Sequence, residues 1–421
     1  MTLANGREYL AIPGPSVIPE RVLQAMHRPS PNIYEGELIE MTKTIKRDLK
    51  AVARTKHDVA IYIGNGHAAW EAALSNVVAP GETILVLSNG WFGKGWGDMG
   101  DGLGAHVEVQ DFGSDTVVDP EWLADRLTQD KEQKIKAVMV CQTDTSSSGR
   151  NDIAVLRQAI DAVGHPALFM VDCIASLGCD PYEMDAWGVD VTVAACQKGL
   201  MVPPGVGLVY FNDKAAAVRA KMPRVSRHWD WATRADPDIF PMNFNGTAPT
   251  HHLYGLRASL DMINEEGLEA IWHRHAVLAR AIWAACEVWG SDGPLRLRIE
   301  GAANRSHAVT SLEIGAPHGT ALREWTEKIT GVTLGIGLGM STPDDPNGTG
   351  FFRIGHMGHV NAHMVMGALA AMDAGLKALG IPHGRGALEA ASEVIAAGKR
   401  MGVLPPLCLS DKSTHGVFLE R

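Results

Sequence analysis

Between residues 58 and 211 the chain passes repeatedly from short apolar runs to amphipathic helical ones, and this alternation restricts the fold more than any other feature. Strands are expected at 58–63, 83–88, 106–110, 136–141, 167–172, 190–195 and 206–211, with helices at 67–78, 119–128, 152–163 and 181–187. Apolar, β-branched runs flanked by glycine and interleaved with helices predict an α/β architecture, a mostly parallel sheet sandwiched by helices. After a loop rich in Trp, Asp and Pro (228–250), helices are expected from Leu253 through Ile263 and from Leu268 to Trp289. Apolar runs at 307–313 and 331–336, a strand-like Phe351-Phe352-Arg353-Ile354 and a helix from Asn361 to Leu379 describe a smaller C-terminal α+β domain. A chain of 421 residues exceeds one typical domain. The expected division is an N-terminal arm (1–20), a large domain (21–265), a small domain (266–400) and a tail (401–421).

Ligands of parallel sheets bind beyond the carboxyl ends of the strands, so the residues that close each run matter most. Lys198, in Ala195-Cys196-Gln197-Lys198-Gly199-Leu200, follows one strand, and Asp172 closes another. A lysine at a buried strand end either reaches solvent or loses its proton, and a neutral lysine is a nucleophile that forms Schiff bases. A carboxylate at the same sheet edge supplies what pyridoxal phosphate needs at its pyridinium nitrogen. Ile63-Gly64-Asn65-Gly66-His67-Ala68-Ala69-Trp70-Glu71 leaves a strand and opens a helix, where glycine and free N–H groups favour an anion such as phosphate. It meets the dinucleotide fingerprint only in its permissive form and shows no ribose-binding acid. Among the aromatics of Ser88-Asn89-Gly90-Trp91-Phe92-Gly93-Lys94-Gly95-Trp96, Phe92 is the best placed to stack on a flat ring. The hydroxyls of Thr143-Asp144-Thr145-Ser146-Ser147-Ser148-Gly149 either cap the helix at 152–163 or, for Thr145, face the cofactor. Arg353, between Phe352 and Ile354, needs an anionic partner, either a structural carboxylate or that of a substrate.

Net charge −10 argues against nucleic acid or an anionic membrane as a partner. Cysteines 141, 173, 179, 196, 286 and 408 form no CxxC pair and no metal-ligand spacing, which favours a reducing, cytoplasmic compartment. The N-terminus lacks a signal-peptide core, and no apolar stretch approaches the roughly 20 residues of a membrane span.

In order and spacing these segments resemble the class V, fold-type I pyridoxal-phosphate aminotransferases, in particular the serine–glyoxylate and alanine–glyoxylate group. The similarity runs from Ile12-Pro13-Gly14-Pro15-Ser16 through Gly64-Asn65-Gly66-His67, Val171-Asp172, Gln197-Lys198-Gly199-Leu200-Met201 and Leu253-Tyr254-Gly255-Leu256-Arg257 to Arg353-Ile354-Gly355-His356-Met357-Gly358. The resemblance implies Lys198 as Schiff-base lysine and proton shuttle, Asp172 as pyridinium partner, and Phe92 and Ile174 on the two faces of the ring. It implies phosphate contacts from Asn65, Gly66, His67 and Gln197, and from Thr247 of a second subunit in a homodimer with shared active sites. Thr145 would approach the ring side, Arg353 would bind the substrate carboxylate, and glyoxylate or pyruvate would accept the amino group from a small amino acid.

Two features depart from that group. Many members carry Asp-His-Arg-Ser near the N-terminus, where this chain reads Asn32-Ile33-Tyr34-Glu35-Gly36. Tyr34 and Glu35, taken as substrate contacts, together with Gly93-Lys94-Gly95, look more like the pyridoxamine–pyruvate aminotransferase branch, which uses free pyridoxamine as substrate. The Met340–Gly350 loop, next to Arg353 in sequence, is a candidate substrate lid. A desulfurase would need a mobile nucleophilic cysteine that no segment here offers, and a non-catalytic protein of the same fold would have no use for Lys198, Asp172 and Arg353 together.

Overall fold

The computed structural model describes residues 2–398; the 401–421 tail and Cys408 lie outside them. Its strands are β1 (Tyr9–Ala11), β2 (Asp58–Gly64), β3 (Thr83–Ser88), β4 (His106–Asp111), β5 (Ile135–Cys141), β6 (Leu168–Asp172), β7 (Val191–Ala195), β8 (Gly205–Phe211), β9 (Arg296–Leu297), β10 (Val309–Glu313), β11 (Val332–Ile336) and β12 (Phe351–Gly355). Seven of them form one sheet in the order β2-β8-β7-β6-β5-β3-β4, in which β8 alone runs against its neighbours. The carboxyl ends of β2, β3, β5, β6 and β7 therefore share one edge.

The continuous apolar runs follow from burial on both faces. Along β6 every residue is buried, with Phe169 and Val171 in one core cluster and Leu168 and Met170 in the cluster across the sheet. A second sheet, β1-β11-β12-β10-β9, packs against a third cluster that includes Trp283, Trp289, Leu312, Phe352 and Leu369. The 23-residue helix Leu268–Gly290 joins the two regions: Leu268 and Ile271 belong to a core of the first sheet, Leu278 through Trp289 to that of the second. Near the amino terminus, β1 pairs in parallel with β11, so residues distant in sequence complete the second sheet.

Helices Gly66–Val77, Pro120–Gln129 and Ile153–Ala162 lie where the sequence predicts them, and each is capped by a side chain, from Asn65, Asp119 and Asp152 respectively. The expected helix at 181–187 is absent. There Met184 N–H bonds the Ala53 carbonyl, and Asp185 accepts from the Thr55 hydroxyl and the Lys56 N–H. Gly188, at φ +60°, ends what remains as a single turn. Conversely, residues following β3 form a helix, Trp91–Gly102, that propensity does not favour: five of its twelve residues are glycine.

Candidate active site

The shared strand edge opens into a cavity of about 170 Å³ lined by residues that leave these strands. After β2 come Asn65, Gly66, His67 and Trp70; after β3, Phe92; after β5, Thr143 and Thr145. Asp172 ends β6 and Ile174 follows it, and Gln197 and Lys198 follow β7.

Lys198 Nζ donates to the Pro13 carbonyl and has no carboxylate partner among the described residues. Burial pulls its amine down to about 8, helped by the Arg353 charge and opposed by Asp172. The approach of the amine to the N-terminal segment requires glycine at 14: its φ is +115°, and a Cβ there would overlap the outer carbons and Nζ of Lys198.

Asp172 is buried, and its carboxylate accepts from Ile174 N–H at 2.6 Å and from Trp70 Nε1–H at 2.7 Å. Burial outweighs both bonds and pushes its pKa up to about 7. A cationic ring nitrogen placed beside it would reverse that balance.

Ile174 and Phe92 both line the space, and Gly66 leaves room for the former, since a Cβ there would overlap Ile174 Cδ1. Trp70 sits among rings, 4.6 Å from His67, 6.2 Å from Phe92 and stacked at 6.1 Å on Trp96. Asn65 Oδ1 accepts from the His67 N–H at 3.0 Å and so fixes the helix start at the cavity, where backbone N–H groups favour an anion. The Gln197 side chain makes no hydrogen bond among the described residues, although its Oε1 is buried. An uncommitted buried amide is expected to find a partner in a ligand.

Arg353 is 6% exposed and does not line the cavity directly. Its Nε donates to the Ile336 carbonyl at 2.7 Å and one terminal nitrogen to the Thr145 carbonyl at 2.8 Å. Burial pulls its pKa down to about 10, with Asp144 opposing. No carboxylate pairs with it among the described residues, which removes the structural salt bridge as its explanation. The hydroxyls of the 143–149 loop do not cap the next helix, which Asp152 caps; they serve the loop and its neighbours, as in Ser146 with Asp144 and Ser148 with Ser311.

Besides Arg353, three of the expected residues are not brought into this chain's cavity. Tyr34 is 79% exposed, Glu35 is exposed beside it, and Thr247 is exposed after the turn Phe240–Phe244. Sequence reasoning in turn missed Trp70, Asp144 and the Pro13–Gly14 contact with Lys198. Trp70 had a legible signal: it lies one helical turn from Gly66, on the same face.

The aminotransferase class-V family model matches residues 8–312. The chain belongs to the class-V aminotransferase family. Serine–glyoxylate aminotransferase of Methylorubrum extorquens is 35% identical to this aminotransferase over 384 residues, 89% of this chain and 92% of the relative. Ureidoglycine–glyoxylate aminotransferase from Bacillus subtilis matches the fold with a TM-score of 0.82 at 26% identity, covering 94% of this chain and 99% of the other. Pyridoxamine–pyruvate aminotransferase from Mesorhizobium loti matches with a TM-score of 0.84 at 25% identity, covering 94% and 100%. The fold is that of fold-type I enzymes, and the enzyme is a pyridoxal-phosphate-dependent transaminase. The cavity fits that cofactor on its own chemistry: a lysine of lowered proton affinity, a buried carboxylate, a helix N-terminus and an unpaired amide surround one space. No helix of the described residues is long and apolar enough to cross a membrane.

Proposed function

We propose that this transaminase moves the amino group of a small amino acid, of the serine or alanine type, to glyoxylate or pyruvate. The observation that carries the reading is the lining of one cavity by Lys198 and Asp172, with the carboxylate-free Arg353 bonded to the Thr145 carbonyl at its margin. The name of the Methylorubrum relative supports glyoxylate as acceptor.

Pyridoxal 5′-phosphate, when bound, supplies an electrophilic carbon and an electron-accepting ring that acidify the Cα–H of an attached amino acid. Lys198 would anchor it and serve as the base that moves the Cα proton of the substrate; burial lowers the proton affinity of its amine, which suits that role near neutral pH. Asp172 holds a proton on the ring nitrogen, with Trp70 and Ile174 fixing the carboxylate. Phe92 and Ile174 would bracket the ring, while Asn65, Gly66, His67 and Gln197 would hold the phosphate end. Arg353 orients the substrate carboxylate. Thr247 completes the phosphate site of the partner in a homodimer, consistent with its exposure on the single chain.

A second reading, transfer from free pyridoxamine to pyruvate, draws on the fold match to the Mesorhizobium enzyme and on Tyr34-Glu35. The uncommitted Gln197 amide favours the first reading, in which a phosphate is retained. Replacing Lys198 by Ala tests the shared core of both: turnover is expected to fall by several orders of magnitude, and near-normal turnover would refute the assignment.

A further inference from the structure

The helix Trp91–Gly102 carries Phe92 to the cavity, yet little in its own sequence makes it helical. Gly93, Gly95, Gly97, Gly100 and Gly102 fall within it, and Gly90 at its N-cap has no side chain to accept the first-turn N–H groups. A different strand end supplies the acceptors. Asp144 Oδ2 accepts from both Phe92 N–H and Gly93 N–H at 2.9 Å. Ser146 Oγ accepts from Trp91 N–H at 2.7 Å while donating to Asp144 Oδ1 at 2.6 Å, and Ser146 N–H also donates to that oxygen at 2.9 Å. Asp144 is fully buried, so its bonds are shielded from water, and its side chain lies at the positive end of the helix. Gly90 is needed for this docking, since a Cβ there would overlap the Asp144 carboxyl.

Between these two residues lies Thr145, which lines the cavity and whose carbonyl accepts from Arg353. One three-residue segment thus ties the Phe92 ring to the guanidinium. We propose that Asp144 is a positioning residue for transamination: by holding the Phe92 helix against the Thr145 segment, it sets the cofactor-stacking ring and the substrate-carboxylate site in one arrangement. The inference rests on the roles of Phe92 and Arg353 proposed above.

The test compares Asp144→Asn, nearly isosteric, with the parent in cofactor-free form. An amide offers one acceptor oxygen where the carboxylate has two. First-turn amides of Trp91–Gly102 are expected to exchange hydrogen about tenfold faster or more, with Gly66–Val77 unchanged. The dissociation constant of pyridoxal phosphate, read from quenching of protein fluorescence, is expected to rise about tenfold or more, and the KM for the amino donor to rise with it. Gly95→Ala supplies a rescue, because its Cβ would sit at an ordinary 3.6 Å from the Trp70 ring while raising helix propensity. Added to Asp144→Asn, it should recover much of the protection and cofactor affinity.

Faster exchange with unchanged cofactor affinity and KM would make Asp144 a cap only and overturn the proposal, as would no change in either. Should Asp144→Asn fail to fold, Ser146→Ala, which removes the Trp91 acceptor, is expected to show a smaller effect of the same pattern, and its absence overturns the proposal. Phe92→Leu separates the two levels. Unchanged cofactor affinity in that variant would refute the role of Phe92 and with it this inference, whereas the exchange result for Asp144→Asn would still stand as a statement about the helix.

Discussion

Replacing Asp172 by Asn should stabilise the cofactor-free protein progressively as pH rises, relative to the parent, while lowering the activity of the cofactor-loaded enzyme. The carboxyl is buried, and its pKa rises from 3.8 to about 7 because burial outweighs the Ile174 and Trp70 hydrogen bonds. A raised pKa means that the folded state binds this proton more tightly than the unfolded chain. The resulting contribution to stability is complete below about pH 3.8 and is lost as pH rises through 7. At about 1.4 kcal/mol per pH unit, the loss across the whole window is roughly 4 kcal/mol. Asparagine does not titrate, so the variant escapes it. The variant has its own cost, independent of pH: one carboxamide oxygen satisfies Ile174 or Trp70, the NH₂ faces the other donor, and a buried unsatisfied donor costs about 1–3 kcal/mol. Between pH 5 and 7 the stability of the variant relative to the parent should therefore improve by roughly 2 kcal/mol. Urea denaturation of both cofactor-free proteins at pH 5, 6, 7 and 8 measures this directly. Parallel stability curves, with a difference constant to within about 0.5 kcal/mol, would refute a carboxylate held against its own burial. Activity should move the other way, falling about 100-fold or more, because an amide does not keep a ring nitrogen protonated.

Removing the Arg353 guanidinium with Arg353→Ala should raise the KM for the amino donor about 100-fold or more, the loss of the proposed charged contact to the substrate carboxylate, with a smaller effect on kcat; steady-state kinetics with an unaltered KM would contradict its assignment. Gly14→Ala forces a side chain into the space of the Lys198 amine at a backbone angle of +115°. The fraction of chains that retain cofactor after borohydride reduction, measured by mass, should fall steeply. Arg234→Ala leaves the carbonyls of Ile61, His228 and Asn243 without their buried donor and uncovers the Tyr62 ring, so denaturation should show a loss of about 3 kcal/mol or more.

Much of the large sheet is written in local sequence, because strands buried on both faces must be continuously apolar and their ends are marked by polar or glycine residues. Asp172 and Lys198 were legible for that reason: each ionisable group interrupts a run that otherwise excludes charge. The helix Trp91–Gly102 was not legible, since its stability comes from Asp144, Ser146 and packing against β3 and β4, none of which local propensity contains. The segment 181–187 failed in the opposite sense. Its helical spacing is real, but Tyr182 is drawn into the core, where its hydroxyl bonds Thr192, and Asp185 is drawn toward Thr55. The pairing of β1 with β11 and the meeting of Pro13 with Lys198 join residues far apart in the chain, and no window of sequence contains both partners. Tyr34, Glu35 and Thr247 rest on resemblance alone, and a single chain leaves all three on its surface.

The most direct test of the proposed reaction is a half-reaction screen of the purified pyridoxal-phosphate form, following the visible absorbance of the cofactor as single amino donors and free pyridoxamine are added in turn. Loss of the band with serine, alanine or another small amino acid, restored by glyoxylate or pyruvate, is the expected result and names the donor. Silence toward every amino acid, with pyruvate-dependent turnover of free pyridoxamine by protein that retains no phosphorylated cofactor, would contradict it.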